Sequence, residues 1–126
     1  MKFSGQSQRP DEIHNPEGEI LQEVLGLQVG NVQSHSLAEI RIPPGGSSSQ
    51  HYHQQSEESY LILSGQAELN LDGRTLPLKS GDAVLIEPSE VHQIFNRSGE
   101  DLVFLAVCVP AWRASDSFEA QGEHSK

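Results

Sequence analysis

The stretch "GGSSSQHYHQQSEESYLILSGQ", residues 45–66, carries the strongest structural signal in the sequence. It places His51 and His53 one residue apart, follows them with Glu57 and Glu58, and then runs into an apolar segment that ends at a glycine. Residues two apart in an extended strand point to the same side and lie about 6.6 Å apart, so two imidazoles can bind one ion at about 2.1 Å. The pattern predicts a metal site built on strands.

The two glutamates cannot both face the histidines, because alternate residues of a strand point to opposite sides. Glu58 shares its side with Tyr60, whereas Glu57 lies on the other side, so only one of the two can be the carboxylate ligand. We expect the strand that carries this ligand to pair antiparallel with the histidine strand and so bring the carboxylate beside the imidazoles. His92, at the start of a later predicted strand, could supply a fourth ligand.

The chemistry of these four donors narrows the choice of ion. Three neutral imidazoles and one carboxylate form a borderline set, which suits Mn, Fe, Co, Ni, Cu or Zn. The same set is a poor match for Ca or Mg, because those hard ions prefer oxygen ligands throughout. The sequence therefore predicts a divalent transition metal as the cofactor.

The segments on both sides of this stretch predict β-strands. "SLAEIRI" at 36–42 and "QAELNL" at 66–71 alternate apolar and polar residues, which is typical of strands with one buried face. The Asp72-Gly73 pair favours a tight hairpin turn after the second of them. Pro77 argues for an edge or bulged position in the strand that returns, because proline cannot donate a ladder hydrogen bond.

Two apolar runs complete the pattern. "AVLIE" at 83–87 predicts a short buried strand, and "LVFLAVCV" at 102–109 predicts the last strand. Turn signals recur roughly every eight to twelve residues, and helical periodicity is absent over most of the chain. We therefore predict an all-β sandwich or barrel.

Charge and cysteine content limit the partners and the compartment. The 126 residues include 18 acidic and 8 basic side chains, for a net charge of −10, which repels nucleic acid and anionic membrane surfaces. One cysteine, Cys108, excludes an internal disulfide and is expected to pack as a small hydrophobe. No window is apolar and long enough for a signal peptide or a membrane span. We expect a soluble, cytoplasmic protein that binds neither nucleic acid nor membrane.

The chain resembles the cupins. Their first motif reads G-x5-H-x-H-x4-E-x6-G, and every position of it is matched, by Gly45, His51, His53, Glu58 and Gly65. Their second motif reads G-x5-P-x-G-x2-H-x3-N, and it is matched at Gly81, His92 and Asn96. Glu87 stands in place of the motif's proline and Ser89 in place of its glycine, with Pro88 between them. These two departures concern the shape of the loop before His92 more than the ligands.

The resemblance covers about residues 30–110 and implies a single-domain double-stranded β-helix, a jelly-roll barrel of the all-β class. It implies a metal ion inside the barrel, held by His51, His53, Glu58 and His92. We divide the chain into a polar arm at 1–18, the barrel at 19–112 and a polar tail at 113–126.

Pairing between barrels is a further expectation. Cupins generally pair sheet to sheet, and the apolar runs at 19–27 and 102–109 offer more apolar residues than one interior layer would use. We therefore expect a homodimer.

Three functions follow from the resemblance. The first is a metal-dependent enzyme that acts on a small oxygen-rich molecule, as a dioxygenase or as an isomerase, epimerase or lyase. The second is a non-catalytic module that binds or senses a small ligand, and the third is a structural or storage cupin. Manganese or iron is favoured, because an ion that prefers six ligands keeps two adjacent positions open beside four protein ligands. A substrate with two oxygen atoms, or one substrate atom beside dioxygen, could occupy those positions.

Individual residues bear on the reaction. Tyr60 has the same parity as Glu58 and is a candidate proton donor or substrate contact, although a tyrosine that only fills space is the commoner case. Ser48 stands where cupins that decarboxylate oxalate typically carry an arginine, three residues before the first histidine ligand. For a sugar phosphate, Arg41, Arg97 and Arg113 are the candidate phosphate contacts.

Overall fold

The computed structural model describes residues 1–120, which form eleven β-strands and two short 3₁₀ turns, Gln6–Gln8 and Ala114–Asp116. The strands are β1 (Ile13–His14), β2 (Ile20–Leu25), β3 (Ser36–Ile42), β4 (His51–His53), β5 (Glu57–Ser64), β6 (Gln66–Leu71), β7 (Arg74–Lys79), β8 (Ala83–Ile86), β9 (His92–Phe95), β10 (Leu102–Val109) and β11 (Ser117–Glu119). No helix in this part of the chain is long and apolar enough to cross a membrane.

The strands form two antiparallel sheets that enclose the core. One sheet has the order β1-β2-β3-β10-β5-β8 and the other has the order β11-β4-β9-β6-β7. Side chains from the inner faces of both sheets are fully buried between them, among them Ile42, Ile62, Leu69, Ile94 and Phe104. The predicted all-β, double-sheet barrel is confirmed.

The hairpin between β6 and β7 follows the sequence prediction. Asp72 and Gly73 have φ angles of 50° and 84°, the left-handed conformation of both central residues in a tight type I′ turn. Leu71 and Arg74 face each other as the last pair of the hairpin. Pro77 lies in β7, the edge strand of its sheet. Proline is tolerated at an edge because its missing N–H can face the side that has no neighbouring strand.

The prediction that "AVLIE" forms a buried strand is wrong. The segment forms β8, but β8 is the last strand of its sheet and pairs only with β5. Ala83 and Leu85 are exposed, while Val84 is half-buried and Ile86 is buried. An edge strand of a two-layer barrel has one face towards the core and one towards solvent, so apolar residues on its outer face stay uncovered.

Both segments outside the predicted barrel contribute strands. In the arm, β1 pairs with β2. In the tail, β11 pairs with β4, the strand that carries His51 and His53. The division at 18 and 112 stays a prediction, and residues 121–126 of the predicted tail lie outside the described residues.

The motif glycine that ends β5 is explained by backbone geometry. Gly65 has a φ angle of 86°, which side chains with a Cβ rarely adopt. A Cβ at this position would also collide with the backbone carbonyl oxygen of Asp101, in the loop that leads into β10. A glycine here lets the chain pass from the six-stranded sheet into the five-stranded sheet, so that the ligands of β4 and β5 face one interior.

Candidate metal centre

Four side chains meet inside the barrel with their donor atoms within 4.8 Å of one another: His51, His53, Glu58 and His92. Oε1 of Glu58 lies 3.3 Å from Nε2 of His53 and 3.3 Å from Nε2 of His92. Two donors bound to one ion at about 2.1 Å and at right angles lie about 3.0 Å apart. The spacing is therefore close to that of a ligand set that shares an ion.

The ligands reach this point from opposite sheets. His51 and His53 lie on β4 and His92 lies on the neighbouring strand β9, where it pairs with His51. Glu58 lies on β5, which pairs with β10 and β8 in the other sheet. The expectation that the carboxylate strand pairs with the histidine strand is wrong, because the turn at 54–56 carries the chain from one sheet to the other. The parity argument still holds, since Glu58 points inward and Glu57 is exposed.

Backbone hydrogen bonds fix two of the imidazoles. Nδ1 of His51 donates to the carbonyl oxygen of Ser49 at 2.9 Å, and Nδ1 of His92 donates to the carbonyl oxygen of Glu90 at 2.9 Å. With the proton on Nδ1, a neutral ring presents the lone pair of Nε2 to the interior. Both rings are thus held in the tautomer that a metal ligand needs.

His53 supplies the test of whether a cation fits. Its side chain is 4% exposed, and Nε2 has no hydrogen-bond partner in the part of the chain that the structure describes, because the contact to Glu58 lacks the alignment of a hydrogen bond. Buried polar nitrogens without a partner are rare and costly. A cation between His53, Glu58 and the other two imidazoles would satisfy this atom, and the donor set suits a first-row transition metal. The residues present therefore fit a metal ion.

The electrostatics of the cluster favour a cation as well. Burial by itself would raise the pKa of Glu58, but the imidazoles of His53 and His92 beside the carboxylate outweigh it and hold the pKa well below its usual range. Burial and the neighbouring His92 lower the pKa of His51 to about 4. Near neutral pH the cluster thus holds a buried carboxylate and a neutral His51 imidazole, which are the protonation states that bind metals.

The second oxygen of Glu58 has a partner of its own. Sγ of Cys108 lies 3.5 Å from Oε2 of Glu58, with the thiol as donor. Burial, and then the charge of Glu58, raise the pKa of Cys108, so the thiol keeps its proton. Cys108 is buried, as the sequence predicts, and it also leaves Oε1 of Glu58 as the oxygen that faces the histidines.

The turn between His53 and Glu58 is held by a residue from the far end of the chain. The carboxylate of Asp116 accepts hydrogen bonds from the backbone N–H groups of Gln54, Gln55 and Ser56, at 3.1, 2.8 and 3.0 Å. These bonds, after the opposing effect of burial, lower the pKa of Asp116. Asp116 therefore fixes the turn on which the spacing of His53 and Glu58 depends. The sequence gives no local signal for this role, because Asp116 lies in a polar segment some 60 residues away.

The loop before His92 adopts a glycine-like backbone at one of its two departures from the motif. Ser89, in the motif's glycine position, has a φ angle of 72°, the left-handed conformation that glycine adopts freely. Its N–H donates to the carbonyl oxygen of His53 at 2.7 Å. The loop is thereby tied to β4, and the serine takes the glycine conformation at some cost in backbone strain.

A cavity of about 270 Å³ opens beside the cluster and connects it to the surface. His51, His53 and Glu58 line its inner end together with Tyr60 and Glu19. Tyr60 is 2% exposed and its ring lies between those of Phe104 and His92, at centroid distances of 4.8 and 6.2 Å. Burial, and then the charge of Glu58, raise the pKa of Tyr60 well above its usual value.

Glu19 is a cavity residue that the sequence analysis missed. It lies just before β2, is 7% exposed, and accepts a hydrogen bond from Nδ2 of Asn15 at 2.8 Å. Burial raises the pKa of its carboxyl to about 7. The only sequence signal is its place after the turn "NPEG", at residues 15–18, and that pattern does not distinguish a buried glutamate from an exposed one.

Comparisons with family models and with known proteins agree on one family. A family model described as "Cupin domain" matches residues 38–108, which include all four cluster residues. The oxalate-binding protein of Thermotoga maritima is 32% identical over 104 residues, which cover 79% of this chain and 86% of that protein.

Solved structures agree with the fold. A predicted oxalate decarboxylase from Thermotoga maritima is similar with a TM-score of 0.73 and 29% identity, covering 86% of this chain and 98% of that one. Pac13, a nucleoside dehydratase of Streptomyces, is similar with a TM-score of 0.78 over 96% of this chain and 92% of that one. At 16% identity, the second likeness concerns the fold alone.

Single replacements of Glu57 and Glu58 test which of the two glutamates binds the metal. We expect Glu58→Gln to weaken metal affinity roughly tenfold or more, because it removes the one carboxylate of the cluster. Glu57→Gln should change the affinity little, since its side chain is exposed on the opposite face. Competition with a chromophoric chelator measures both variants. Equal losses would show that the two glutamates are not separated by the faces of the strand, and the parity argument would be wrong.

Asp116→Ala tests the support of the ligand turn. We expect roughly tenfold weaker metal binding, because three backbone N–H groups of the turn lose their acceptor and the spacing of His53 and Glu58 is no longer fixed. Asp82→Ala is the matched control, since Asp82 accepts from the N–H of Lys79 in a turn away from the cluster. It should lower the free energy of unfolding without weakening metal binding. Unchanged affinity in Asp116→Ala contradicts the role assigned to this carboxylate.

Proposed function

The chain belongs to the cupin family, and from this premise we propose that it is a metal-dependent enzyme that acts on a small oxygen-rich molecule. The observation that carries the proposal is the convergence of His51, His53, Glu58 and His92 beside a cavity that is large enough for a small ligand and is lined by the first three of them. Dioxygenase chemistry and isomerase, epimerase or lyase chemistry are the two reaction classes we consider.

The four cluster residues would hold a single divalent ion, for which we favour manganese or iron. The bound ion would supply Lewis-acid or redox chemistry. Nickel, zinc, cobalt and copper also suit the donors, and the ordinary affinity order places copper, nickel and zinc above manganese. Only an ion with more than four positions leaves room for a ligand that binds through two oxygens, so we propose a bidentate oxygen ligand as the substrate.

The lining of the cavity argues against a phosphorylated substrate. Within the described part of the chain, no lysine or arginine lines it. Arg41 lies near Glu12 and Arg97 binds Glu68, both on outer faces of the barrel, and Arg113 is exposed. None of the three is a phosphate contact here, so a sugar phosphate lacks the cationic site that its recognition needs. We propose an unphosphorylated carboxylate or carbonyl compound instead.

The relative from Thermotoga maritima supports a ligand with paired oxygens, since that protein is named for oxalate binding. Ser48 argues against oxalate decarboxylation in this chain. It is fully buried, and its hydroxyl donates to the carbonyl of Ser49 and accepts from the N–H of Ile94. The side chain at this position thus serves the backbone and is not available to a ligand.

Tyr60 is the proposed proton donor next to the cluster. Its raised pKa means that the hydroxyl stays protonated near neutral pH, so it can donate a hydrogen bond but cannot act as a base. Its ring is packed against Phe104, which holds the side chain in one orientation.

A second candidate is a non-catalytic protein that binds a small ligand through the metal. The name of the Thermotoga maritima relative favours this alternative, because it refers to binding and not to a reaction. The two candidates agree on metal and ligand and differ only in turnover. Product formation from the bound ligand separates them.

We expect the purified protein to carry about one first-row transition metal per chain, and the double variant His51→Ala, His53→Ala to carry none while it stays folded. Metal-free protein reconstituted separately with Mn, Fe, Ni and Zn should bind oxalate, 2-oxo acids or diketones in the six-coordinate forms. Metal analysis and calorimetry measure both properties. Full metal content in the double variant would contradict the site, and absence of ligand binding in every form would contradict the enzyme.

We also propose a homodimer formed through the outer face of the six-stranded sheet. Leu61, Leu63 and Leu85 are 41%, 42% and 49% exposed on its neighbouring strands β5 and β8. Sedimentation should give a species of twice the 13.8 kDa chain mass. Leu61→Asp should shift it to the monomer, whereas Leu76→Asp, which alters an equally exposed leucine on the other sheet, should not. A wild-type monomer at micromolar concentration would rule the dimer out.

A further inference from the structure

Glu19 is a second buried carboxyl in the cavity, apart from the metal cluster. Asn15 holds one of its oxygens, Oε1, at 2.8 Å. The other oxygen, Oε2, has no hydrogen-bond partner among residues 1–120, and the carboxyl lines the same cavity as Glu58 and Tyr60. No cation from the described residues lines this cavity to neutralise Glu19. One oxygen of this carboxyl is therefore free to meet a ligand in the cavity.

None of the other titratable groups that line the cavity is placed to act as a base. The cluster residues are used as ligands, Tyr60 keeps its proton, and the thiol of Cys108 is directed to Glu58. Asp11 and Glu119 are exposed at the outer end. The carboxylate of Glu23 accepts the backbone N–H groups of Gln28 and Val29 and so serves the loop that follows β2. Glu19 remains as the one buried lining carboxyl with a free oxygen.

We propose that Glu19 is the catalytic base and acid of the cavity, which removes a proton from the carbon next to a carbonyl group of the bound ligand and returns it. This inference rests on the proposed function, and it selects the isomerase, epimerase or lyase class. The C–H bond of the ligand breaks, the O–H bond of the Glu19 carboxyl forms at Oε2, and the electron pair moves into the carbonyl group. Return of a proton reverses each change, so no oxidant or reductant takes part.

The substrate class follows from this assignment. The ligand must be a carbonyl compound. It must offer two oxygens to the cluster and carry at least one hydrogen on the carbon beside the carbonyl. Pyruvate and longer 2-oxo acids with a hydrogen on C3 have all three features, whereas oxalate has no hydrogen on carbon. Oxalate therefore tests binding alone, and pyruvate tests binding and proton exchange together.

The environment of Glu19 suits a base that works near neutral pH. Burial is the main cause of its raised pKa of about 7, and the charges of Glu58 and Glu17 raise it further, whereas the hydrogen bond from Asn15 and the nearby His92 lower it. A carboxyl with such a pKa is present in both protonation states at neutral pH, which favours proton transfer in either direction.

The test is hydrogen exchange at the methyl group of pyruvate in heavy water, monitored by proton NMR. The manganese-loaded protein is the sample, and the metal-free protein is the blank. Exchange should rise with pH as the Glu19 carboxyl loses its proton, and it should fall roughly 100-fold or more in Glu19→Gln. Asp11→Asn, which removes an exposed lining carboxylate, should exchange within about twofold of the wild type. Asn15→Ala should shift the pH profile to higher pH, because the hydrogen bond that lowers the pKa of Glu19 is lost.

A second readout does not depend on turnover. In metal-free protein with ¹³C-labelled glutamate, the carboxyl signal that disappears in Glu19→Gln should titrate near pH 7. Titration below about pH 5 overturns the proposal, as does equal exchange in wild type and Glu19→Gln. Pyruvate binding without exchange overturns the role of Glu19 and leaves the proposed function standing. Failure of both oxalate and pyruvate to bind overturns both.

Discussion

The carboxylate of Glu58 is the constraint on which the rest of the site depends. It is buried between two sheets, and a buried charge is tolerated only when it is paired and hydrogen-bonded. The thiol of Cys108 donates to one oxygen, while the other faces the histidine nitrogens, so a cation held among these four side chains would complete the pairing. Because Glu58 and the histidines come from different sheets, the same contacts hold the layers together at their open end. A cation bound there would add to the cohesion of the barrel as well as supply chemistry.

Much of this arrangement follows from local rules. The alternation of side chains along a strand predicts that His51 and His53 face one side and that Glu57 and Glu58 cannot both join them. The motif spacing then selects Glu58 and adds His92. The rules fail where the partner of a strand must be known. Parity says which way β5 faces, but it does not say whether β5 pairs with β4 or lies opposite to it, because that depends on contacts with β10 and β8. The burial of β8 was mispredicted for the same reason.

The residues that surround the ligands are harder to predict than the ligands. Asp116 and Glu19 owe their roles to long-range contacts: one accepts hydrogen bonds from a turn some 60 residues away, and the other is buried where the N-terminal segment closes over the cavity. Nothing in their immediate sequence separates them from solvent-exposed acids. Ser89 is a different case, since the motif predicts a glycine conformation and the serine adopts it with a φ angle of 72°. Backbone geometry is thus retained where residue identity is not.

The contact between Asp116 and the ligand turn has a consequence for the order in which the protein matures. During synthesis the histidines and Glu58 leave the ribosome well before Asp116, some 60 residues later. Until the segment with Asp116 and β11 has docked on β4, the ligand turn has neither its hydrogen-bond acceptor nor its neighbouring strand. A nascent chain can therefore present loose histidines, which bind ions with little selectivity, but not the finished geometry. The geometry of the ligand turn is therefore completed only after the segment with Asp116 has docked on β4.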